Sequence, residues 1–184
     1  LLQGIEIANG GRYYQNAHRL ALEHDLAMIG VSDVHGLIDW DYRPEAGENP
    51  GHRPVTLVFA EESTVEAIRD ALFARRTVVF WKDTLIGRTE YLLPLLQASI
   101  EIAEMETTPW GIRVLLRNHS DAAMTLRNDT GLQPSIQSQL IDLPAHGETE
   151  VTFSMDEPAE TPLKFTVLNA LVAPNRSAEL TLEP

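Results

Sequence analysis

The sequence predicts an α/β domain over residues 1–97 followed by an all-β domain over 98–184. Three observations predict it. Apolar runs of strand length alternate with helix-period segments up to about Gln97. Helical periodicity then stops. From there short runs of alternating apolar and polar residues are separated by turn signals. The first rhythm implies βα units and a parallel sheet, the second an antiparallel sandwich.

The elements follow in order. "GIEIANG" is a β-branched run closed by Asn9-Gly10-Gly11. "NAHRLALEHDL" spaces Ala17, Leu20, Ala21 and Leu26 near helical period. "AMIGVSD" is a compact apolar run, as a buried parallel strand would be. A polar loop bearing Gly and Pro runs from Gly36 to Pro54. "VTLVFA" reads as a further buried strand. "ESTVEAIRDALFARR" opens on Ser63 or Thr64 as N-cap, with Val65, Ile68, Leu72 and Phe73 on one side. "TVVFW" closes this half as a strand, and "WKDTLIGR" reads as the connection after it.

Seven strand-like runs follow: "SIEIAEME", "GIRVLLRN", "AMTLRN", "SQLIDL", "TEVTFSM", "PLKFTVLN" and "SAELTLE". Ile112, Val114 and Leu116 alternate with polar neighbours, as do Leu163, Phe165 and Val167. Short strands at this spacing predict a β-sandwich of immunoglobulin-like architecture. "NHSD" and "NDTG" are turn chemistry, although Asn118-His119-Ser120 and Asn128-Asp129-Thr130 also fit the glycosylation sequon.

Composition narrows the function. The net charge is -13. Binding nucleic acid calls for clustered Lys and Arg, so that class is excluded. With no cysteine, a metal here takes His, Asp, Glu, backbone or water as ligands. No apolar run of membrane-spanning length is present. The chain starts at Leu1 within a strand-like run, which suggests a fragment or a processed product.

Asp33 and His35 lie where "AMIGVS" gives way to loop. Function in α/β sheets gathers at the carboxyl ends of strands. In an extended segment, positions i and i+2 point the same way. Carboxylate and imidazole then reach one ion, at about 2.0–2.2 Å for zinc-type bonds. Gly36 lets the chain turn away. An aspartate at a strand end also serves as a turn or N-cap residue, so the spacing alone leaves both roles open.

The run "GIEIANG", a helix and "GVSDVHG" resembles the carboxy-terminal part of the PHP family, the polymerase and histidinol phosphatase superfamily, over roughly residues 1–90. The resemblance implies the C-terminal portion of a distorted (β/α)7 barrel and hydrolysis of phosphoesters. It also implies two or three divalent metals, Zn, Mn or Fe, in the complete site. The family's Asp-x-His ligand motif maps onto Asp33 and His35, and a Glu-hydrophobic-x-Asn strand onto Glu6, Ile7 and Asn9. Asn9 borders the site on this reading, while Glu6 is not a ligand. The later segment and sandwich are similar to a secreted or periplasmic bacterial branch that includes Sphingobium-type phosphodiesterases. The family's other ligands, among them a His-x-His, have no counterpart in these residues. A parallel-sheet fragment exposes an edge, so association with the missing amino-terminal half or with a second copy is expected.

Further candidates surround this pair. His52 precedes a buried strand after a long loop. Lys82 and Arg88 offer cations for a phosphoryl oxygen. Trp40 and Tyr42 are candidates for a pocket wall, and "DWDYR" reads as a hydrated loop. His18 and His24 read as solvated helix residues, and His119 and His146 as sandwich-turn residues. The expected substrate is a small phosphoester. The rival reading is a non-catalytic module whose sandwich binds a partner or carbohydrate, and bound transition metal separates the two.

Overall fold

The computed structural model describes residues 2–38, 42, 53–134, 139–154 and 162–183. The chain divides into two compact units, Leu1–Leu92 with Leu171–Arg176, and Leu93–Ala170 with Ser177–Pro184. The boundary read from the sequence, 97/98, lies within a helix.

In the first unit, β1 (Gly4–Asn9) pairs antiparallel with β2 (Arg12–Tyr13) and parallel with β3 (Ala27–Val31). Helix α1 (Gln15–Glu23) makes the crossover between β1 and β3. Ile7, Ala8, Ala21, Leu26, Met28, Val79 and Ile86 form the buried core, with Tyr13, Trp81 and Leu171 packed against it. Burying each large aliphatic side chain contributes about 1.5–3 kcal/mol.

The rest of this unit departs from a parallel sheet. β4 (Val55–Val58), β5 (Thr77–Trp81) and β6 (Thr84–Gly87) pair antiparallel in sequence order. Helix α2 (Val65–Phe73) joins β4 to β5 without making a parallel crossover. "WKDTLIGR" is not a connection but a tight hairpin: β5 and β6 are joined by only Lys82 and Asp83. Beside β3 the contact runs through side chains. The Gly30 N–H donates to Thr56 Oγ1 at 2.9 Å, Thr56 Oγ1 donates back to the Gly30 carbonyl at 3.0 Å, and the Met28 N–H donates to Thr77 Oγ1 at 3.3 Å.

Helices α1 and α2 stop by the same device. Asp25 (φ 51°) and Arg75 (φ 60°) each follow a helix in the left-handed region. The next amide bonds back into the last turn, Leu26 to the Ala21 carbonyl and Arg76 to the Ala71 carbonyl, each at 2.9 Å. This is the Schellman arrangement, which usually takes glycine. The two stop residues also hold one another. Arg75 Nε donates to the Asp25 carbonyl at 2.6 Å and lies 3.0 Å from Asp25 Oδ2. At its other end α2 is capped by Thr64, whose Oγ1 accepts from the Ala67 N–H at 3.2 Å. Of the apolar residues read on one side of α2, Val65, Ile68 and Phe73 are exposed and Leu72 is half-buried, while Ala71 is buried.

Helix α3 (Thr89–Ser99), with Pro94 inside it, carries the chain into the second unit. The periodicity there gave no warning of a helix. Seven strands follow among the described residues: β7 (Ile100–Thr108), β8 (Gly111–Asn118), β9 (Met124–Asn128), β10 (Leu140–Leu143), β11 (Glu148–Phe153), β12 (Leu163–Ala173) and β13 (Arg176–Leu182). They match the seven runs read from the sequence. One sheet has the order β11-β8-β7; in the other, β9 lies between β10 and β12, and β13 pairs with β12. Ile112, Val114, Leu116, Met124, Leu126, Val151, Phe153, Leu163, Phe165 and Val167 are buried as their alternation requires. On the outer face Arg117 lies between Glu101 and Glu148, and Arg113 between Glu106 and Glu150. These exposed pairs add little stability.

Candidate functional site

Asn9 ends β1 and Val31 ends β3, and the two residues are partners in the parallel ladder. The turn after β1 and the segment after β3 therefore leave the sheet side by side. Gly10 (φ 51°) takes the left-handed conformation, and its N–H donates to the Val31 carbonyl at 2.9 Å. Asp33 lies two residues beyond, at the carboxyl end of a strand as expected.

The local geometry differs from the expectation. The strand ends at Val31, and Asp33 itself has φ 53°. A left-handed residue breaks the extended alternation, so the i, i+2 spacing does not put Asp33 and His35 on one face. What the backbone gives is a sharp turn that exposes both side chains. Neither makes a hydrogen bond or ion pair to another described residue. An uncommitted carboxylate and imidazole on a turn fit the donor chemistry of a divalent transition metal. They are two donors only. Among the described residues no group of three or more His, Asp or Glu side chains is gathered to hold an ion.

The other candidates separate. Asn9 is half-buried, and its Nδ2 donates to Glu6 Oε2 at 3.0 Å, so Glu6 orients it. Lys82 comes to the same turn, its Nζ donating to the Gly11 carbonyl at 3.2 Å while lying 5.0 Å from the Trp81 ring centre. Arg88 is committed elsewhere. One of its terminal nitrogens donates to the Ala21 carbonyl at 2.9 Å and the Leu26 carbonyl at 3.2 Å, and lies 3.2 Å from Asp25 Oδ1. It closes the carboxyl end of α1, where the helix dipole favours a cation. Meeting a phosphate there would cost those bonds. His52, Trp40 and most of "DWDYR" lie outside the described residues; Tyr42 is described, and its hydroxyl donates to the Ser32 carbonyl at 3.5 Å.

Two residues carry more than their sequence suggested. His18 is not a solvated helix residue: it is fully buried. Its Nδ1 is 2.6 Å from the Tyr13 hydroxyl, and its Nε2 has no partner. Burial, helped by the nearby Arg88 charge, lowers its pKa to about 4, and burial raises that of Tyr13 to about 12. The signal was available, because His18 shares one helical stripe with Ala21 and Leu22. Trp81 is the other. Its Nε1 donates to the Gly10 carbonyl at 2.9 Å, and its ring packs 6.1 Å from that of Tyr13. In the second unit, His119 lies 3.1 Å from Glu101 and His146 2.7 Å from Asp121, so both are tied into the ends of the sandwich.

Comparisons with known proteins agree with this division. The family model described as DUF5001, an Ig-like domain, matches residues 99–183. No curated protein matches the chain. Among solved structures, the chain is similar to a two-domain protein from Bacteroides vulgatus ATCC 8482, described as containing a predicted PHP-like metal-dependent phosphoesterase. The identity is 33% and the TM-score 0.85, over 99% of this chain and 52% of that one. The chain thus spans about half the length of the protein it resembles. The family match makes the second unit an Ig-like domain, and the α/β character of the first rests on its own helices and strands.

Proposed function

We propose that this chain works as part of a metal-dependent phosphoesterase, in which Asp33 and His35 are two of the metal ligands. The observation that carries the reading is the exposed, uncommitted Asp33/His35 pair at the carboxyl end of β3, in a chain similar along 99% of its length to a protein with a PHP-like phosphoesterase. A divalent cation held there would acidify a water and neutralise charge on the phosphoryl oxygens. Asp33 supplies negative charge to that cation, and His35 a neutral ring nitrogen. Metal binding uses the neutral form of an imidazole ring. Asn9, steadied by Glu6, offers an amide donor at the rim. Lys82 offers a cation beside the same turn for the oxygens of a small phosphoester. His52 is proposed as a further rim residue.

Two ligands do not make a phosphoesterase centre of two or three metals. The further ligands are proposed to come from chain beyond these residues, consistent with the doubled length of the similar protein. The exposed Val65, Ile68 and Phe73 stripe of α2 supports association with that additional chain. The sandwich serves as a packing module on this reading. A periplasmic or secreted bacterial setting is proposed on the same resemblance; among the described residues no helix is long and apolar enough to cross a membrane. The test is hydrolysis of bis(p-nitrophenyl) phosphate by the complete gene product. His35→Ala is expected to remove most turnover, by about 100-fold or more. Unchanged turnover in that variant would refute the assignment.

A further inference from the structure

The β5–β6 hairpin carries two left-handed residues in a row, Lys82 (φ 47°) and Asp83 (φ 53°), between the paired Trp81 and Thr84. Such a two-residue turn is of type I′, for which Asn-Gly is the favoured pair. Lysine at its first position costs about 1 kcal/mol. The turn's tip shows what that conformation accomplishes. Trp81 Nε1 donates to the Gly10 carbonyl at 2.9 Å, and Lys82 Nζ donates to the Gly11 carbonyl at 3.2 Å. Lys82 also lies over the Trp81 ring, which packs against Tyr13. Two successive carbonyls of one turn are thus held by two successive side chains of another. The amide of the same Gly10 holds the Val31 carbonyl, and a Cβ at Gly10 would stand 3.4 Å from the Ser32 carbonyl. Trp81 therefore connects through Gly10 to the last residue of β3, two positions before Asp33.

We propose that Trp81 and Lys82 form a clamp that positions the Asp33–His35 turn for metal binding. Toward the metal both act as positioning residues, through the backbone of Gly10 and Gly11, and the Lys82 ammonium keeps two further donors for substrate oxygens; the inference rests on the reading that Asp33 and His35 are ligands. A turn with a left-handed aspartate has few intrinsic restraints. Neither ligand side chain is oriented by a hydrogen bond to another described residue. The clamp supplies the restraint from outside the turn.

Cobalt(II) titration of the complete gene product, followed by its visible absorption bands, tests this. Four proteins are compared: wild type, His35→Ala, Trp81→Phe and Lys82→Met. Trp81→Phe keeps an aromatic ring and loses the indole donor; Lys82→Met keeps the stem and loses the ammonium. The clamp predicts that His35→Ala abolishes the bands. It predicts that Trp81→Phe weakens cobalt affinity by about 10-fold and shifts the bands, with a smaller loss in Lys82→Met. Loss of bands in His35→Ala with wild-type affinity and spectrum in Trp81→Phe overturns the clamp and leaves the ligand reading standing. Wild-type bands in His35→Ala, or none in wild type, overturn both. If Trp81→Phe does not fold, Lys82→Met decides alone: weaker binding supports the clamp, and unchanged binding overturns it.

Discussion

The Tyr13 hydroxyl lies 2.6 Å from Nδ1 of His18, inside the α/β unit, and His18 Nε2 has no partner there. The interior accepts this imidazole only as a neutral ring. Protonating it would place a charge in a fully buried site beside Arg88.

That fixes the sign of a pH effect. The folded pKa is lowered from 6.5 to about 4. Stability from this group is therefore complete above pH 6.5 and lost as the pH falls toward 4. At pH 5 the loss is about 2 kcal/mol. Chemical denaturation at pH 7.5 and pH 5 is expected to show wild type losing about that much more than His18→Leu. An equal pH dependence in the two proteins would show that His18 is not held neutral.

Arg88 closes the carboxyl end of α1 with a mostly buried guanidinium. Arg88→Met is expected to cost about 2 kcal/mol, because buried carbonyls lose their donor. The exposed Asp25 partner contributes little of this. Urea unfolding of the variant measures it. A change within 0.5 kcal/mol, the size of an ordinary surface effect, would leave Arg88 available for another role.

The two Asn-x-Ser/Thr turns of the sandwich are built alike. Asn118 Oδ1 accepts from the Ser120 N–H and hydroxyl, while its Nδ2 donates to the Ala122 and Pro144 carbonyls. Asn128 Oδ1 accepts likewise from Thr130, and its Nδ2 donates to the Leu132 carbonyl and Gln139 Oε1. Both side chains are buried. Asn118→Ala is expected to cost about 2–3 kcal/mol, since it strands several buried partners. Mass spectrometry of protein secreted from a glycosylating host is expected to find Asn118 unmodified, because its amide nitrogen is already used.

Gly111 opens β8 with φ 140°, and a Cβ there would fall 2.0 Å from the Phe153 carbonyl oxygen. Conformation and space both forbid a side chain. Gly111→Ala is expected to cost about 3 kcal/mol or more, read as a lowered thermal midpoint. A midpoint equal to wild type would mean that β8 and β11 can separate at that point.

The sandwich was legible because alternation reports burial directly: Ile112, Val114 and Leu116 face in, Arg113 and Arg117 face out. The α/β half was harder. "VTLVFA" and "TVVFW" are apolar but for Thr56 and Thr77, and such runs do not reveal whether neighbours lie parallel or antiparallel. The hairpin at Lys82-Asp83 was hidden because its turn lacks the usual Asn-Gly. Asp33 and His35 were placed at a strand end from the sequence, but the left-handed turn at Asp33 has no sequence signature. Trp81 was overlooked because its partner is a backbone carbonyl 71 positions away.

Asp33 and His35 are proposed to grip a metal, and every functional role assigned to this chain follows from that. Metal content by plasma mass spectrometry, on the complete gene product purified without chelator, tests this most directly. The account predicts at least one equivalent of Zn, Mn or Fe in wild type and a clear loss in both Asp33→Asn and His35→Ala. Equal metal in all three proteins would contradict it.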